Sequence, residues 1–381
     1  MRVTVAIDSF KGSLSTFQAG DAIREGILRA DPCAEVCVRP LADGGEGTVD
    51  AMVSACNGEM RRVTVCGPLQ KKVEAAYGII PQREIAVIEM SAAAGITLVT
   101  PEERNPLYTT TYGVGEMIAD AIERGCRTFI IGIGGSATND GGVGMLRALG
   151  YEFLDGEGQP IPHGGIGLSV LRQIRTENAL PALRECTFLV ACDVKNPLCG
   201  ETGCSAVYGP QKGATPEMVR DMDGWMQNYA ALTEKIVPGA DARSAGAGAA
   251  GGMGFAFLAY LNGVLQSGIQ MIMKETDLAT YVSKADLVIT GEGRLDRQSC
   301  MGKAPVGVAE LAKQYGKPVI AFSGCVTEDA SECNRHGIDA FFPILRKPCT
   351  LEEAMEGETA YRNLRDTAEQ AYRLFALTRT R

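Results

Sequence analysis

Five segments of this 381-residue chain set glycine beside ionisable or amide side chains. They are Asp8-Ser9-Phe10-Lys11-Gly12, Asp43-Gly44-Gly45-Glu46-Gly47-Thr48 and Gly134-Gly135-Ser136-Ala137-Thr138-Asn139-Asp140-Gly141-Gly142. The others are Asp193-Val194-Lys195-Asn196-Pro197 and Gly291-Glu292-Gly293-Arg294-Leu295-Asp296. Each follows a run that reads as a β-strand. In open parallel sheets the loops at the carboxyl ends of strands converge, and ligands sit there. Any one segment also has the look of a turn or helix cap. Five at one topological position point to a shared site.

The Gly134–Gly142 stretch leaves many backbone N–H groups uncovered ahead of an apolar helix, a nest suited to phosphate oxygens. Ser136 and Thr138 add hydroxyl donors. The same window contains Gly132-x-Gly134-x-x-Ala137, with Asp155 further on where a dinucleotide fold would place its ribose-binding acid. By itself the window supports phosphoryl transfer and dinucleotide binding equally. The rest of the chain favours the former. Neither His163 nor His336 lies in any of the five glycine-rich segments, where hydride transfer would use it as an acid or base. Asp43/Glu46 and Glu292/Asp296 form acidic loops suited to Mg²⁺, a hard ion that takes one or two carboxylates plus nucleotide phosphates.

Asp43-x-x-Glu46 also has capping-box spacing, whereas Gly291 and Gly293 flank Glu292 in a way that favours a ligand. Lys11, Lys212 and Arg294 are cations in turn-rich surroundings, as the spreading charge of phosphoryl transfer requires. Asp193 ends a strand with no helix to cap, which suits a general base, although an Asx turn would use it too. Asp43 is its rival. The expected catalytic set is therefore Asp193, Lys11, Lys212 and Asp43. Phosphate or substrate is expected on Asp8, Ser9, Gly134, Gly135, Ser136, Thr138, Asn139, Asp140, Asn196 and Arg294. The metal is expected on Glu292, Asp296 and Glu46. Neither a Walker A sequence nor the HRD and DFG motifs of protein kinases occur.

The elements that must hold these residues alternate at both chain ends. Residues 2–8 and 35–41 read as strands. A helix over Ser15–Ala30 has Ser15 as N-cap and Ala19, Ala22, Ile23, Ile27 and Leu28 on its apolar side, and a second spans Gly47–Cys56. Runs 61–67, 72–80 and 84–90 form an antiparallel meander. A helix near Gly115–Glu123, strands at Thr128–Ile133 and Thr187–Cys192, and an apolar helix over Phe255–Leu265 follow. Strands at Asp286–Thr290, Pro318–Ser323 and Ala340–Leu345 restore the alternation, and one long helix from Leu351 closes the chain. The layout predicts an α/β domain over 1–60 and 276–381, with a second, mixed α/β domain inserted over 61–275.

A net charge of −9 opposes nucleic-acid or anionic-membrane binding. No apolar run is long enough to span a membrane, and the N-terminus reads as a strand rather than a signal peptide, so a cytoplasmic protein is expected. The thirteen cysteines are expected to be reduced thiols. Cys33/Cys37 and Cys199/Cys204 resemble zinc half-sites, but no CxxC pair accompanies them.

Taken together, AIDSFKGSLS (6–15), PLADGGEGT (40–48), GIGGSATNDGG (132–142), ACDVKNPL (191–198), YGPQKGA (208–214), GAGAAGGMG (246–254) and TGEGRLDRQS (290–299) resemble the bacterial glycerate kinase family over residues 1 to about 375. The resemblance implies a flavodoxin-like parallel-sheet domain formed by both chain ends and holding the inserted one. It implies ATP and Mg²⁺ as cofactors, and conversion of D-glycerate to 2-phosphoglycerate between the two domains of a monomer or homodimer. A glycerate 3-kinase, a kinase of a related hydroxy acid, an NAD-dependent dehydrogenase and a nucleotide-sensing module are the alternatives.

Overall fold

The structure is a computed structural model that describes residues 1–297, 299–301 and 303–377; Gln298 of the 290–299 motif lies outside the described residues. The chain begins β1 (Arg2–Val5), α1 (Thr16–Ala30), β2 (Glu35–Val38) and α2 (Thr48–Cys56). It continues through β3 (Glu59–Cys66), β4 (Lys72–Ile80), β5 (Ile85–Glu89), α3 (Ser91–Ala94), α4 (Tyr112–Glu123), β6 (Thr128–Gly132) and α5 (Val143–Ala148). Then come β7 (Glu152–Leu154), β8 (Gln173–Arg175), β9 (Thr187–Ala191), α6 (Cys204–Tyr208), α7 (Pro216–Ile236), α8 (Ala249–Tyr260) and β10 (Val264–Gln266). The last part holds α9 (Gly268–Glu275), α10 (Leu278–Lys284), β11 (Leu287–Leu295), α11 (Ala304–Gln314), β12 (Val319–Val326), β13 (Ala340–Pro343), α12 (Leu351–Met355) and α13 (Gly357–Leu377).

Two compact units result. The first comprises Met1–Asp43, Asp50–Cys56 and Ile269–Arg381, the second Gly44–Val49 and Asn57–Gly268. In the first unit the sheet order is β13-β12-β11-β1-β2, with every pair parallel. Counted within the unit this is the 2-1-3-4-5 order of flavodoxin-like folds, whose switch point lies between β1 and β11. Near-continuous apolar runs explain the parallel arrangement, because helices cover both faces of such a sheet. Val3, Val5, Leu287, Val288, Ile289, Val319, Ala321 and Phe322 are all buried.

Helix α1 starts where Ser15 and Gln18 form a capping box. It buries Ala19, Ala22, Ile23 and Ile27 in a cluster with Leu364, Ala368 and Tyr372 of α13. Leu28, expected on that face, is exposed. Nor is the C-terminal helix one piece: Glu356 takes an extended conformation between α12 and α13.

The second unit has the order β10-β9-β6-β5-β4-β3. β3, β4 and β5 form the antiparallel meander, and β5, β6, β9 and β10 are parallel. Phe129 and Phe188 stack at 4.8 Å in its core. Helix α8 ends at Tyr260 and not at Leu265, because Asn262, at φ 48, and Gly263 turn the chain into β10. The 21-residue helix α7 and the β7–β8 hairpin are elements that the strand and helix expectations above omit.

Candidate active site

In the first unit the candidate residues cluster at the carboxyl ends of β2, β1 and β11. Asp8 stands just past β1, where its N–H still donates to the Gly291 carbonyl at 3.0 Å. Its buried carboxylate accepts the Ser9 N–H at 2.6 Å. Burial, and then the negative charge of Asp43, push the Asp8 carboxyl up to about 7; Glu292 adds to this, while Ser9 and Lys11 oppose it. Lys11, exposed on the same loop, pairs with Asp43 at 3.4 Å. Burial alone would lower the lysine, but Asp43, Asp8 and Glu292 together hold it above its ordinary value.

Glu292, on β11, accepts a hydrogen bond from the Ser299 hydroxyl. Burial raises this carboxyl, with Asp296 and Asp43 in the same sense, against Ser299 and Lys303. Asp296 accepts the Ser299 N–H at 3.3 Å and pairs with Arg294 at 3.2 Å. Ser299, which the glycine-loop pattern does not include, is thus the side chain that joins the two expected metal ligands. Among the described residues no group of three or more His, Cys, Asp or Glu is placed to hold a metal. Mg²⁺ needs fewer protein ligands, since water and phosphates complete its shell.

In the second unit the loop after β6 divides. Gly134 and Gly135 are exposed, and Gly135 has φ 71. Behind them the backbone is tied down: Ile96 N–H donates to Gly135 O at 2.8 Å and Ala137 N–H to Ala94 O at 2.9 Å. Ser136 lies nearly buried between those two anchors and bridges to Gly95. Thr138, Asn139 and Asp140 are fully buried. The Asp140 carboxylate collects the Thr111 N–H (2.8 Å), the Thr111 hydroxyl (2.9 Å), and the Gly142 (3.1 Å) and Gly144 (3.3 Å) N–H groups. Asn139 donates to Ser205 at 2.9 Å. Thr138 Oγ1 and Asn139 Oδ1 are buried and find no partner among the described residues. Lys212 is also buried, and its ammonium donates to the Thr138 carbonyl at 2.6 Å. Burial lowers Lys212 to about 8, against Cys204 and Asp140.

Asp193 is exposed on the loop after β9. Asn196 is occupied, donating to the Thr202 carbonyl and accepting from the Tyr208 hydroxyl, at 2.8 and 2.7 Å. Glu46 is exposed in the Gly44–Val49 segment, which belongs to the second unit, whereas Asp43 belongs to the first. Capping-box geometry does not form there, since α2 begins at Thr48 and Glu89 accepts the Val49 N–H at 2.9 Å. Glu89 ends β5 beside Gly132, and the glycine-loop pattern does not include it.

The dinucleotide pattern does not hold. Gly132 is the last residue of β6, and the next helix starts only at Val143. Asp155 is committed to a turn, accepting the Glu157 and Gln159 N–H groups at 2.9 Å each.

A model of the glycerate kinase family matches residues 3–376. The chain belongs to that family. It is 48% identical to a glycerate kinase of Haemophilus influenzae, an alignment that covers 99% of each chain. It is 46% identical to the glycerate 2-kinase of Escherichia coli, covering 96% of this chain and 95% of that one. A solved structure from Salmonella typhimurium described as glycerate kinase 2 superposes with a TM-score of 0.91, at 45% identity and full coverage of both chains. As a family member the protein is a phosphotransferase. Among the described residues no helix is long and apolar enough to cross a membrane.

Proposed function

We propose that this enzyme transfers the γ-phosphoryl group of ATP to the 2-hydroxyl of D-glycerate, giving 2-phosphoglycerate and ADP. The observation that carries the chemistry is the Asp8–Lys11–Asp43–Glu292 cluster at a sheet switch point, where charged ligands are bound in such folds. The choice of hydroxyl is supported by the relative from Escherichia coli, named a glycerate 2-kinase.

The carboxyls of Asp8 and Glu292 are both raised, chiefly by burial, with the neighbouring carboxylates, Asp43 among them, acting in the same sense. That excess negative charge fits a hard divalent cation. Glu292 and Asp296 would hold Mg²⁺, directly or through water, two carboxylates being enough where water and nucleotide phosphates complete the shell. When bound, the ion would neutralise charge on the nucleotide phosphates.

The chain's own groups do the rest. Asp193 accepts the proton of the attacking hydroxyl, since a secondary alcohol is a weak nucleophile. Lys11 holds negative charge on a phosphoryl or carboxylate oxygen, and Asp43 orients that ammonium through their ion pair. Gly134, Gly135 and Ser136 offer backbone N–H groups to phosphate, while Lys212 fixes the loop from behind through Thr138.

A coupled ADP-release assay tests this reading, with D-glycerate, L-glycerate and glycerol as acceptors and magnesium supplied or chelated. Turnover is expected with D-glycerate and Mg²⁺, and far less with the others. Phosphorus NMR of the product then separates the 2- from the 3-phosphate. Equal turnover on glycerol would overturn the proposal, because no group would then be reading the substrate carboxylate.

A further inference from the structure

The cysteines that the fold brings together are ones that sequence spacing does not pair. Cys300 and Cys333 are 33 positions apart, yet their sulphur atoms lie 3.0 Å from each other and share a hydrogen bond. A disulfide requires about 2.05 Å, so closing it takes a shift of only about 1 Å. Cys300 is half-exposed and Cys333 buried. Both sulphurs also lie beside the Asp296 carbonyl, at 3.9 and 4.0 Å. Cys300 belongs to the short 3-10 turn Ser299–Met301, whose first residue gives its hydroxyl to Glu292 and its N–H to Asp296.

We propose that Cys300 and Cys333 form an oxidation site, a dithiol that a peroxide converts to a disulfide and a thiol reductant restores. The half-exposed Cys300 sulphur attacks the peroxide oxygen, giving a sulfenic acid and one water. The Cys333 sulphur then displaces the hydroxyl, forming the S–S bond and a second water. Two thiols have lost two electrons and two protons, and hydrogen peroxide has become two waters. Reduction runs by thiol–disulfide exchange with a dithiol, which is itself oxidised. Drawing Cys300 toward Cys333 moves Ser299 with it and disturbs the hold on Glu292 and Asp296. That effect on turnover rests on the phosphotransfer reading given above; the sulphur chemistry does not.

The test uses the full-length protein, treated with hydrogen peroxide, blocked with an alkylating reagent under denaturing conditions and mapped by mass spectrometry. A Cys300–Cys333 cross-linked peptide is expected, lost again on treatment with dithiothreitol. If both cysteines stay alkylatable while exposed Cys33 and Cys325 oxidise, the pair is ordinary packing and the proposal fails. Progress of Cys300 to a sulfinic acid without cross-linking overturns it as well. In parallel, ADP release with D-glycerate is expected to fall on oxidation, by up to ~10²-fold for a displacement of about 1 Å, and to recover on reduction. Cys300→Ser and, separately, Cys333→Ala should match the reduced parent in turnover and lose the sensitivity to peroxide. A cross-link that forms without change in turnover overturns the coupling to Glu292 and Asp296. Absence of turnover in the reduced protein refutes the glycerate kinase reading instead, and the peptide map still decides the dithiol.

Discussion

Asp8 shows how much electrostatic cost one residue can carry for a site. Its carboxyl is raised from the ordinary 3.8 to about 7, chiefly by burial. Between those values the folded chain keeps a proton that the unfolded chain has released, so stability falls as pH rises through the window and levels off above about 7. The full penalty is roughly 4 kcal/mol, at about 1.4 kcal/mol per pK unit. Asp8→Asn should therefore melt at a higher temperature than the parent at pH 8 in the presence of a chelator, with the difference vanishing near pH 4. Calorimetry at the two pH values checks this, and a difference independent of pH would show that Asp8 ionises normally. Asp193 is exposed on its loop, and the role proposed for it is chemical. Positioned proton transfer contributes ~10²- to 10⁴-fold, so Asp193→Asn should lower kcat by that order and leave KM for ATP nearly unchanged. Steady-state kinetics decide it. A fall of less than about threefold, well under the range for such catalysis, would remove Asp193 from the role, and a large loss in Asp43→Asn alone would transfer it.

Elements carry these residues only where the backbone allows. Gly135 holds φ 71, and a Cβ there would meet the Ser91 side chain at an ordinary contact distance of 3.6 Å, so the first cost of a side chain is conformational. Left-handed backbone costs an ordinary residue roughly 1–2 kcal/mol. Gly135→Val should thus keep the circular dichroism spectrum of the parent while abolishing ADP release, and near-normal turnover would reduce the loop to a connector. Gly26 is the packing counterpart. A Cβ there would meet the backbone carbonyl of Arg365, where α1 crosses α13. Gly26→Ala should lower unfolding stability by ~1–3 kcal/mol in urea titrations, the usual cost of overpacking, without touching any site residue. Gly26 itself gives no sign of this in sequence, because the surface it meets lies more than three hundred positions away. The same limit explains what was and was not legible elsewhere. Strands such as Thr128–Gly132 announce themselves by β-branched and aromatic residues, and the Ser15 cap by its own chemistry. Helix α7 carries its own start signal in Thr215 and Pro216. Asp8, Lys11 and Asp43 were legible because each follows a strand, and Glu292 because it comes just after the apolar run that opens β11, a strand that continues through it to Leu295. Ser299 was not, since its importance comes from a hydrogen bond to a residue in another element.

At the scale of the whole molecule, the chain's ends make one sheet and its middle another, with a separate apolar cluster in each. The consequence for folding is asymmetric. The second unit is nearly continuous in sequence, and all six strands of its larger sheet lie between Glu59 and Gln266. The first is split: β1 pairs with β2 nearby but also with β11 from the far end, and α1 packs on α13. A fragment of Met1–Cys56 has two short strands, the nine-residue α2 and the amphipathic α1 without the α13 that covers its apolar face, too little to offset chain entropy. A fragment of Gly44–Gly268 retains the second sheet, the Gly44–Val49 segment that lies against Ala191 and Gly132, and the Lys212 and Asp140 anchors of its glycine loop. Expressed separately, the second fragment should give a cooperative thermal transition and a dispersed amide NMR spectrum. The first should give neither. A Gly44–Gly268 fragment that melts without cooperativity would mean that the middle of the chain folds only when the two ends have already closed their own sheet.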